Sequence, residues 1–314
     1  MKTKSNLSFL DNAKLKPVLF FLILIAGLGF LILKQLPDNN LHLVFCDVGQ
    51  GDAILVAYGS RQILIDGGPD ESVLYCLSDN MPFWDRKIDL VVLTHPEIDH
   101  FGGLLNVLPR YEVGKILINK YLSQGEKIEE LVGLINDKKI YTLNPQETSQ
   151  IRMGLLSFDI VRLKNNSSLT NNKIDDFRCL ESEDCYFQTV LGDWNANEIS
   201  IALSLKYDNF GAILTGDSMG ETLEYLENQS ALRGHQVIKL AHHGSRHDNP
   251  LSFYQKLAPD IVVASVGKNS YGHPDEGLLD SLGKMGIRSL RTDRDGEVEI
   301  IADGKNYWIE TTGR

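Results

Sequence analysis

The stretch Leu93–Gly103, LTHPEIDHFGG, brings two histidines and two acids into six positions, directly after the apolar run IDLVVL. The chain has eight histidines, and none falls between His100 and His235. His95, His100, His242 and His243 share one setting, just past an apolar run: LVVLTH in one case and VIKLAHH in the other. Asp217 repeats that setting at the end of GAILTGD. Polar, metal-capable groups at several strand ends are how a rigid sheet presents one constellation. A single such histidine is more often an ordinary loop residue, but three strand ends in the same pattern point to a metal site. Borderline ions such as Zn2+ take imidazole and carboxylate, whereas carboxylate with water suits Mn2+. Such an ion ionises a water near neutral pH and so generates a nucleophile, and a second ion clamps a phosphoryl oxygen. Asp217 has two oxygens and could bridge two ions, which an imidazole cannot.

Strands must place these groups. LHLVFCDVGQGDAILVAYGSRQILIDGG reads as three short strands with glycine-rich turns, Leu41–Asp47, Ala53–Tyr58 and Gln62–Asp66. A helix over Glu71–Leu77 precedes the strand Ile88–Leu93 and the histidine loop. Beyond lie a helix near Gly103–Leu108, a strand KILIN, a helix EKIEELVGLIND, and strands at Ile199–Tyr207 and Gly211–Leu214. Residues 163–185, rich in Asn, Ser and Asp, read as an exposed polar insertion. No sequence repeat of fixed period is present. Strands gather in hairpin-like groups early in each half, with helices later. This predicts an α+β fold over residues 41–314: two mixed sheets face to face with helices outside, a four-layer αββα sandwich.

Seven motifs narrow the reading: DVGQGDA, ILIDGG, LTHPEIDHFGG, ILTGD, AHHGS, NSYGHP and RTDRDGEV. THPEIDHFGG resembles the HxHxDH loop of the metallo-β-lactamase superfamily. In order and spacing the full series resembles the C-terminal hydrolase domain of ComEC-type DNA-uptake (competence) proteins, from Leu41 to Ile301. The resemblance implies the αββα fold, one or two divalent ions (Zn2+ or Mn2+) and phosphodiester hydrolysis, with degradation of the DNA strand that is not imported. The chain departs from that pattern at three places. One apolar span replaces the polytopic channel segment. NANEIS (Asn195–Ser200) stands where the superfamily's third-motif histidine would fall, and Glu97 replaces the second histidine of the first loop. The first metal position then keeps His95 and Glu97. The second keeps Asp99, His100, Asp217 and one histidine of the His242–His243 pair, taken as His242, with His243, His273 and Asp99 on the catalytic side.

The remaining residues of these motifs have two-sided readings. Asp47, Gln50 and Asp52 of DVGQGD lie beside the metal, or the glycines there simply allow a tight turn. Asp66 is expected to orient a ligand through hydrogen bonds. His273 resembles a family residue near the scissile group, as a phosphate contact or proton donor, and Asn269 and Tyr271 of the same motif go with it toward substrate. Ser245 and Arg246 hold phosphate, or Ser245 begins a helix. His247, His235 and His42 read as surface or structural residues.

The N-terminus is a separate element. Pro17 to Leu33 carry no charged or strongly polar side chain. Seventeen helical residues at about 1.5 Å each reach roughly 25 Å, the short end of what spans a hydrocarbon core. Lys2, Lys4, Lys14 and Lys16 precede the run and only Lys34 follows it closely. That excess predicts that residues 1–16 are cytoplasmic and the body lies outside, beyond a linker at 34–40. KQLPDNN offers no small-x-small cleavage site, so the span at 17–33 reads as an uncleaved signal anchor. Cys179 and Cys185, in a polar acidic loop, could form a disulfide there, whereas Cys46 and Cys76, in apolar contexts, are expected to be buried thiols. Residues 1–37 hold five Lys or Arg and one acid, which leaves the body 26 basic against 41 acidic residues, a net of −15. Such a body does not bind duplex DNA through a broad electrostatic surface. The reading is a membrane-anchored, extracytoplasmic, metal-dependent phosphodiesterase or nuclease acting on DNA, with a separate uptake channel as candidate partner. Alternatives are a hydrolase of another surface ester or nucleotide, and a domain that binds DNA or a channel subunit without turnover.

Overall fold

A computed structural model describes residues 12–122, 124–161, 173–176, 188–191 and 195–313. Most of the expected insertion, with Cys179 and Cys185, lies outside the described residues. Helix α1 (Asn12–Lys34) takes in the whole apolar run, and its described side chains are almost all exposed. By length and composition it is a candidate membrane span.

The first half contains β1 (Leu41–Phe45), β2 (Ile54–Tyr58), β3 (Arg61–Ile65), α2 (Ser72–Asn80) and β4 (Lys87–Leu93). It continues with α3 (Ile98–Phe101), α4 (Leu104–Arg110), β5 (Glu112–Ile118), β6 (Tyr121–Leu122), α5 (Glu126–Asp137) and β7 (Tyr141–Leu143). Next come β8 (Gln150–Met153), β9 (Leu156–Val161), β10 (Lys173–Asp176), β11 (Gln188–Leu191), β12 (Ala202–Tyr207) and β13 (Phe210–Leu214). The chain then alternates: α6 (Gly220–Leu226), β14 (Val237–Lys239), α7 (Leu251–Leu257), β15 (Ile261–Ala264), α8 (Glu276–Lys284) and β16 (Arg288–Arg291). A short α9 (Thr292–Asp295) leads to the closing hairpin β17 (Val298–Ala302) and β18 (Tyr307–Thr311).

These strands form an eight-stranded sheet, β18-β17-β1-β2-β3-β4-β5-β7, and a seven-stranded sheet, β16-β15-β14-β13-β12-β9-β8. A small sheet, β10-β11-β6, stands apart from both. Each large sheet is antiparallel in its hairpins and parallel from β3 to β7 or from β13 to β16. Period-two alternation sorts the side chains into layers. Leu43 and Phe45 point into a core shared with Phe158, Leu203 and Val263 of the second sheet. Val44, Leu55 and Val91 point the other way, under Leu77, Leu104 and Leu131 of α2, α4 and α5. On the far side, Ile213, Ile238 and Val262 pack under Leu223, Phe253 and Leu282 of α6, α7 and α8. The result is helices, sheet, sheet, helices, an α+β fold.

The closing hairpin joins the first sheet: β17 crosses back and pairs antiparallel with β1, from Leu41 opposite Ala302 to Phe45 opposite Val298. One feature differs from expectation. Cys46 and Cys76 are buried but are not free thiols: they form a disulfide, with Cα atoms 5.7 Å apart. Thirty residues separate them, and only the packing of α2 over the end of β1 brings the two sulfurs together.

Candidate metal centre

One edge of the two sheets carries the chemistry. Asp66 follows β3; His95, Asp99 and His100 follow β4; Asp217 follows β13; Lys239 ends β14 and His243 lies four residues on. Asp52 precedes the antiparallel β2 and so reaches the same edge. Ligand groups at the carboxyl ends of parallel strands are a general feature of open α/β sheets. The loops must pack closely to converge. At Gly51 (φ +139°) a Cβ would run into the carbonyl oxygen of Asp99, and Asp52 N donates to that oxygen at 3.1 Å. Asp66, His242 and His243 also hold left-handed backbone, at φ 58°, 47° and 54°. Non-glycine residues adopt it at some cost, and such outliers cluster at sites.

Hydrogen bonds fix the tautomers. Asp66 Oδ1 accepts from Thr94 N at 2.8 Å, and its Oδ2 accepts from Thr94 Oγ1 at 2.7 Å and from His100 Nδ1 at 2.8 Å. Because Thr94 spends its hydroxyl proton on Asp66, the 3.1 Å contact with His95 Nδ1 must be donated by the histidine. One carboxylate therefore orients two imidazoles, each turning an Nε2 lone pair inward. His243 Nδ1 donates to Ser265 O at 2.9 Å, with the same outcome for its Nε2. His242 Nδ1 is bound to Asp248 Oδ2 at 2.8 Å, and Ser245 helps hold that aspartate.

The inward atoms meet. Asp217 Oδ1 is 3.4 Å from His100 Nε2, and its Oδ2 is 3.3 Å from His243 Nε2. His243 Nε2 also lies 3.3 Å from Asp99 Oδ2. His95 joins His100 and Asp217 in a second grouping, all three buried. Among the described residues, His95 Nε2, His100 Nε2, His243 Nε2 and Asp217 Oδ1 are buried with no hydrogen bond. Leaving such atoms unpaired is costly, and a cation is the partner that nitrogen lone pairs and carboxylate oxygens can share. Ligands about 2.1 Å from a tetrahedral ion lie roughly 3.4 Å apart, which matches these separations. The residues present therefore fit a divalent ion.

Charge leads to the same conclusion. Burial disfavours ionisation of Asp217, but His243 and His100 outweigh it and hold the carboxyl well below its usual range. Burial likewise opposes charge on His100 and His243, yet Asp217, with Asp66 and Asp52, raises both well above 6.5. His95 is pushed down to about 3 by burial, helped by its neighbour His100. Among the described residues, the buried carboxylates Asp52, Asp66 and Asp217 face one buried lysine, Lys239, and protons on His100 and His243 supply the remaining positive charge, which a divalent cation can replace.

Lys239 was not singled out from the sequence, although an ionisable residue inside the apolar VIKLA was a signal. Its Nζ lies 2.6 Å from Asp52 Oδ2 and 3.7 Å from Asp217 Oδ1, and it donates to Gly216 O at 2.9 Å. Asp52 and Asp217 raise its pKa despite burial. Ser200, in the NANEIS segment that stands in place of a third-motif histidine, accepts from Asp217 N through its Oγ at 3.0 Å.

The other predicted residues stand further out. His242 is partly exposed, with Nε2 4.0 Å from Asp217 Oδ2. Glu97 is partly exposed, 4.0 Å from His95 Nε2, and burial and Asp99 raise its pKa. The structure does not bring Asp47 into the cluster; its side chain is exposed. Gln50 Oε1 accepts from Gly267 N at 3.3 Å. Asn269 ties the NSYGHP turn, its Oδ1 accepting from the backbone of Tyr271, Gly272 and His273. The His273 ring lies 5.6 Å from that of His242, and exposed Tyr271 stacks on His273 with ring centroids 6.0 Å apart. Ser245 does not begin a helix: α7 starts at Leu251, after Pro250. His235 is structural, bonded to Ser204 and Leu232, and His42 binds Asp38 and Glu299.

This chain matches the model of the metallo-beta-lactamase superfamily over residues 46–161. Its homologues are competence proteins, consistent with a ComEC-type domain. It is similar to ComE operon protein 3 of Bacillus subtilis (strain 168), 26% identical over 272 residues, covering 81% of this chain and 32% of that protein. It is also similar to Competence protein ComA of Neisseria gonorrhoeae, 24% identical over 292 residues, covering 88% and 35%. The chain spans about a third of the length of the curated relatives it matches. Among solved structures, the metallo-beta-lactamase fold protein YhfI from Bacillus subtilis shares the fold at TM-score 0.50 and 12% identity, over 86% of this chain and all of that one.

Proposed function

We propose that this chain is a membrane-anchored, extracytoplasmic, metal-dependent phosphodiesterase that acts on DNA during uptake. The observation that carries the reading is the convergence of the inward ring nitrogens of His95, His100 and His243 on Asp217. Asp99, His100, Asp217 and His243 would hold the principal ion, so His243 takes the ligand role in preference to His242. His95 and Asp217, with Glu97 alongside, would hold a weaker one. A bound ion supplies an ionised water and neutralises a phosphoryl oxygen. The rest falls to the chain itself. Asp66 holds His100 directly and His95 through Thr94, and Lys239 holds Asp52 against the cluster. Burial and His242 lower the pKa of His273. It is therefore neutral near pH 7 and suited to hydrogen-bond a phosphate oxygen. The competence relatives support DNA as substrate, and the buried Cys46–Cys76 disulfide suits an oxidising compartment outside the cytoplasm.

A second reading, a small phosphoester or nucleotide substrate, is favoured by the net −15 of the body. Turnover of single-stranded DNA, duplex DNA and small phosphodiesters by the full chain with added Mn2+ or Zn2+ separates the two. Preferred cleavage of single-stranded DNA is expected. Cleavage of the small esters alone would favour the second reading, and no turnover of any would mark a binding domain.

A further inference from the structure

Residues 35–40, between the apolar helix and the domain, are not a free tether. Gln35 Oε1 accepts from Phe83 N at 3.2 Å, Asp38 binds His42 at 2.9 Å, and Tyr207 Oη donates to Asn39 O at 3.0 Å. Together with Asn80–Pro82 this segment lines a cavity of about 360 Å³. The end of the span is thereby pinned to the loop that joins α2 to β4. That loop displays Phe83, 63% exposed, and Trp84, 44% exposed, packed edge to face, and Leu36 of the exit segment is exposed as well. Large apolar side chains in a group are unusual on a solvated surface, and aromatic rings of this kind favour the lipid headgroup level.

Resting on the membrane-anchored reading above, we propose that Leu36, Phe83 and Trp84 dip into the outer leaflet and dock the domain on the bilayer. The continuity of this patch with the apolar helix, through the Gln35–Phe83 bond, is what assigns it to lipid. The orientation follows. Strands β1, β3 and β4 start at this end and run to the metal centre at the other. Seven residues of β4 at about 3.3 Å each place the chemistry roughly 23 Å from the membrane face, opening away from the lipid. Substrate then reaches the centre from the aqueous side.

The test uses the full chain in phosphatidylcholine proteoliposomes whose acyl chains are brominated either near the headgroup or near the terminal methyl. Flotation with the liposomes reports the anchor separately. In chains that float, shallow bromine should quench a tryptophan component that the deep label spares and that Trp84→Phe removes. Phe83→Trp should add a second component with the same depth dependence. Equal quenching in wild type and Trp84→Phe, with none added by Phe83→Trp, would overturn the docking while leaving the anchor intact. Failure to float would overturn the anchored reading and the docking with it. Unquenched Trp84 accompanied by cross-linked dimers would assign the patch to a second copy, against the proposal.

Discussion

Asp217 faces His100 with one oxygen and His243 with the other, so truncating it strips both sides of the candidate centre at once. Asp217→Ala should lower phosphodiester turnover by about 10³ or more, since the ion and the charge that holds it go together; steady-state rates at saturating metal check this. The same geometry sets the pH response. His100 and His243 have pKa values raised well above 6.5 in the metal-free protein. The stability they contribute is full below that value and is lost as pH rises through the raised pKa. Above about pH 6.5 the depressed carboxylates and His95 no longer titrate, so the metal-free melting temperature should fall as pH rises. Metal binding must displace those protons, so apparent affinity should climb over the same range. Melting curves and metal titrations from pH 6.5 to 9 read both slopes. At this scale the sequence was legible wherever residue type and strand end coincided, as at His95, His100 and Asp217. Lys239 was hidden inside an apolar run. The choice within the His242–His243 pair depends on two left-handed residues in a row, which no spacing rule encodes.

Element by element, alternation and punctuation located most strands within a residue or two, and the helix Glu126–Asp137 matches the expected EKIEELVGLIND end to end. Long-range pairings were not legible. Nothing local to β17 says that it returns to β1, because partner choice is decided by which edge is left open after the sheets stack. The Cys46–Cys76 bridge has the same origin, and it clips α2 to the strand that feeds the DVGQGD loop. Closing a loop of 30 residues constrains the unfolded chain by about 3–4 kcal/mol in the chain-entropy model. Cys46→Ser with Cys76→Ser should therefore lower stability by about that amount in denaturant melts of the full chain in detergent. An unchanged midpoint would show that the bridge adds nothing beyond packing.

For the whole molecule, the proposed topology puts the domain outside the cytoplasm, supported by four lysines before the span against one after it and separately by the disulfide. Protease added to intact cells with an accessible outer face should remove the domain, and complete protection would reverse the topology. The fold class was legible because each half opens with hairpins and closes with helices; the seating of residues 35–40 on the domain was not, since it rests on contacts that reach across 48 and 168 residues of sequence. The central claim, that this sheet edge is a metal centre with one strong and one weaker position, is tested most directly by calorimetric titration of the full chain with Mn2+ and Zn2+. A tight, proton-releasing event that Asp217→Ala abolishes is expected, with a weaker event at higher metal concentration that Glu97→His tightens for Zn2+. Two equally tight zinc sites unaltered by Glu97→His, or binding that survives Asp217→Ala, would contradict the claim.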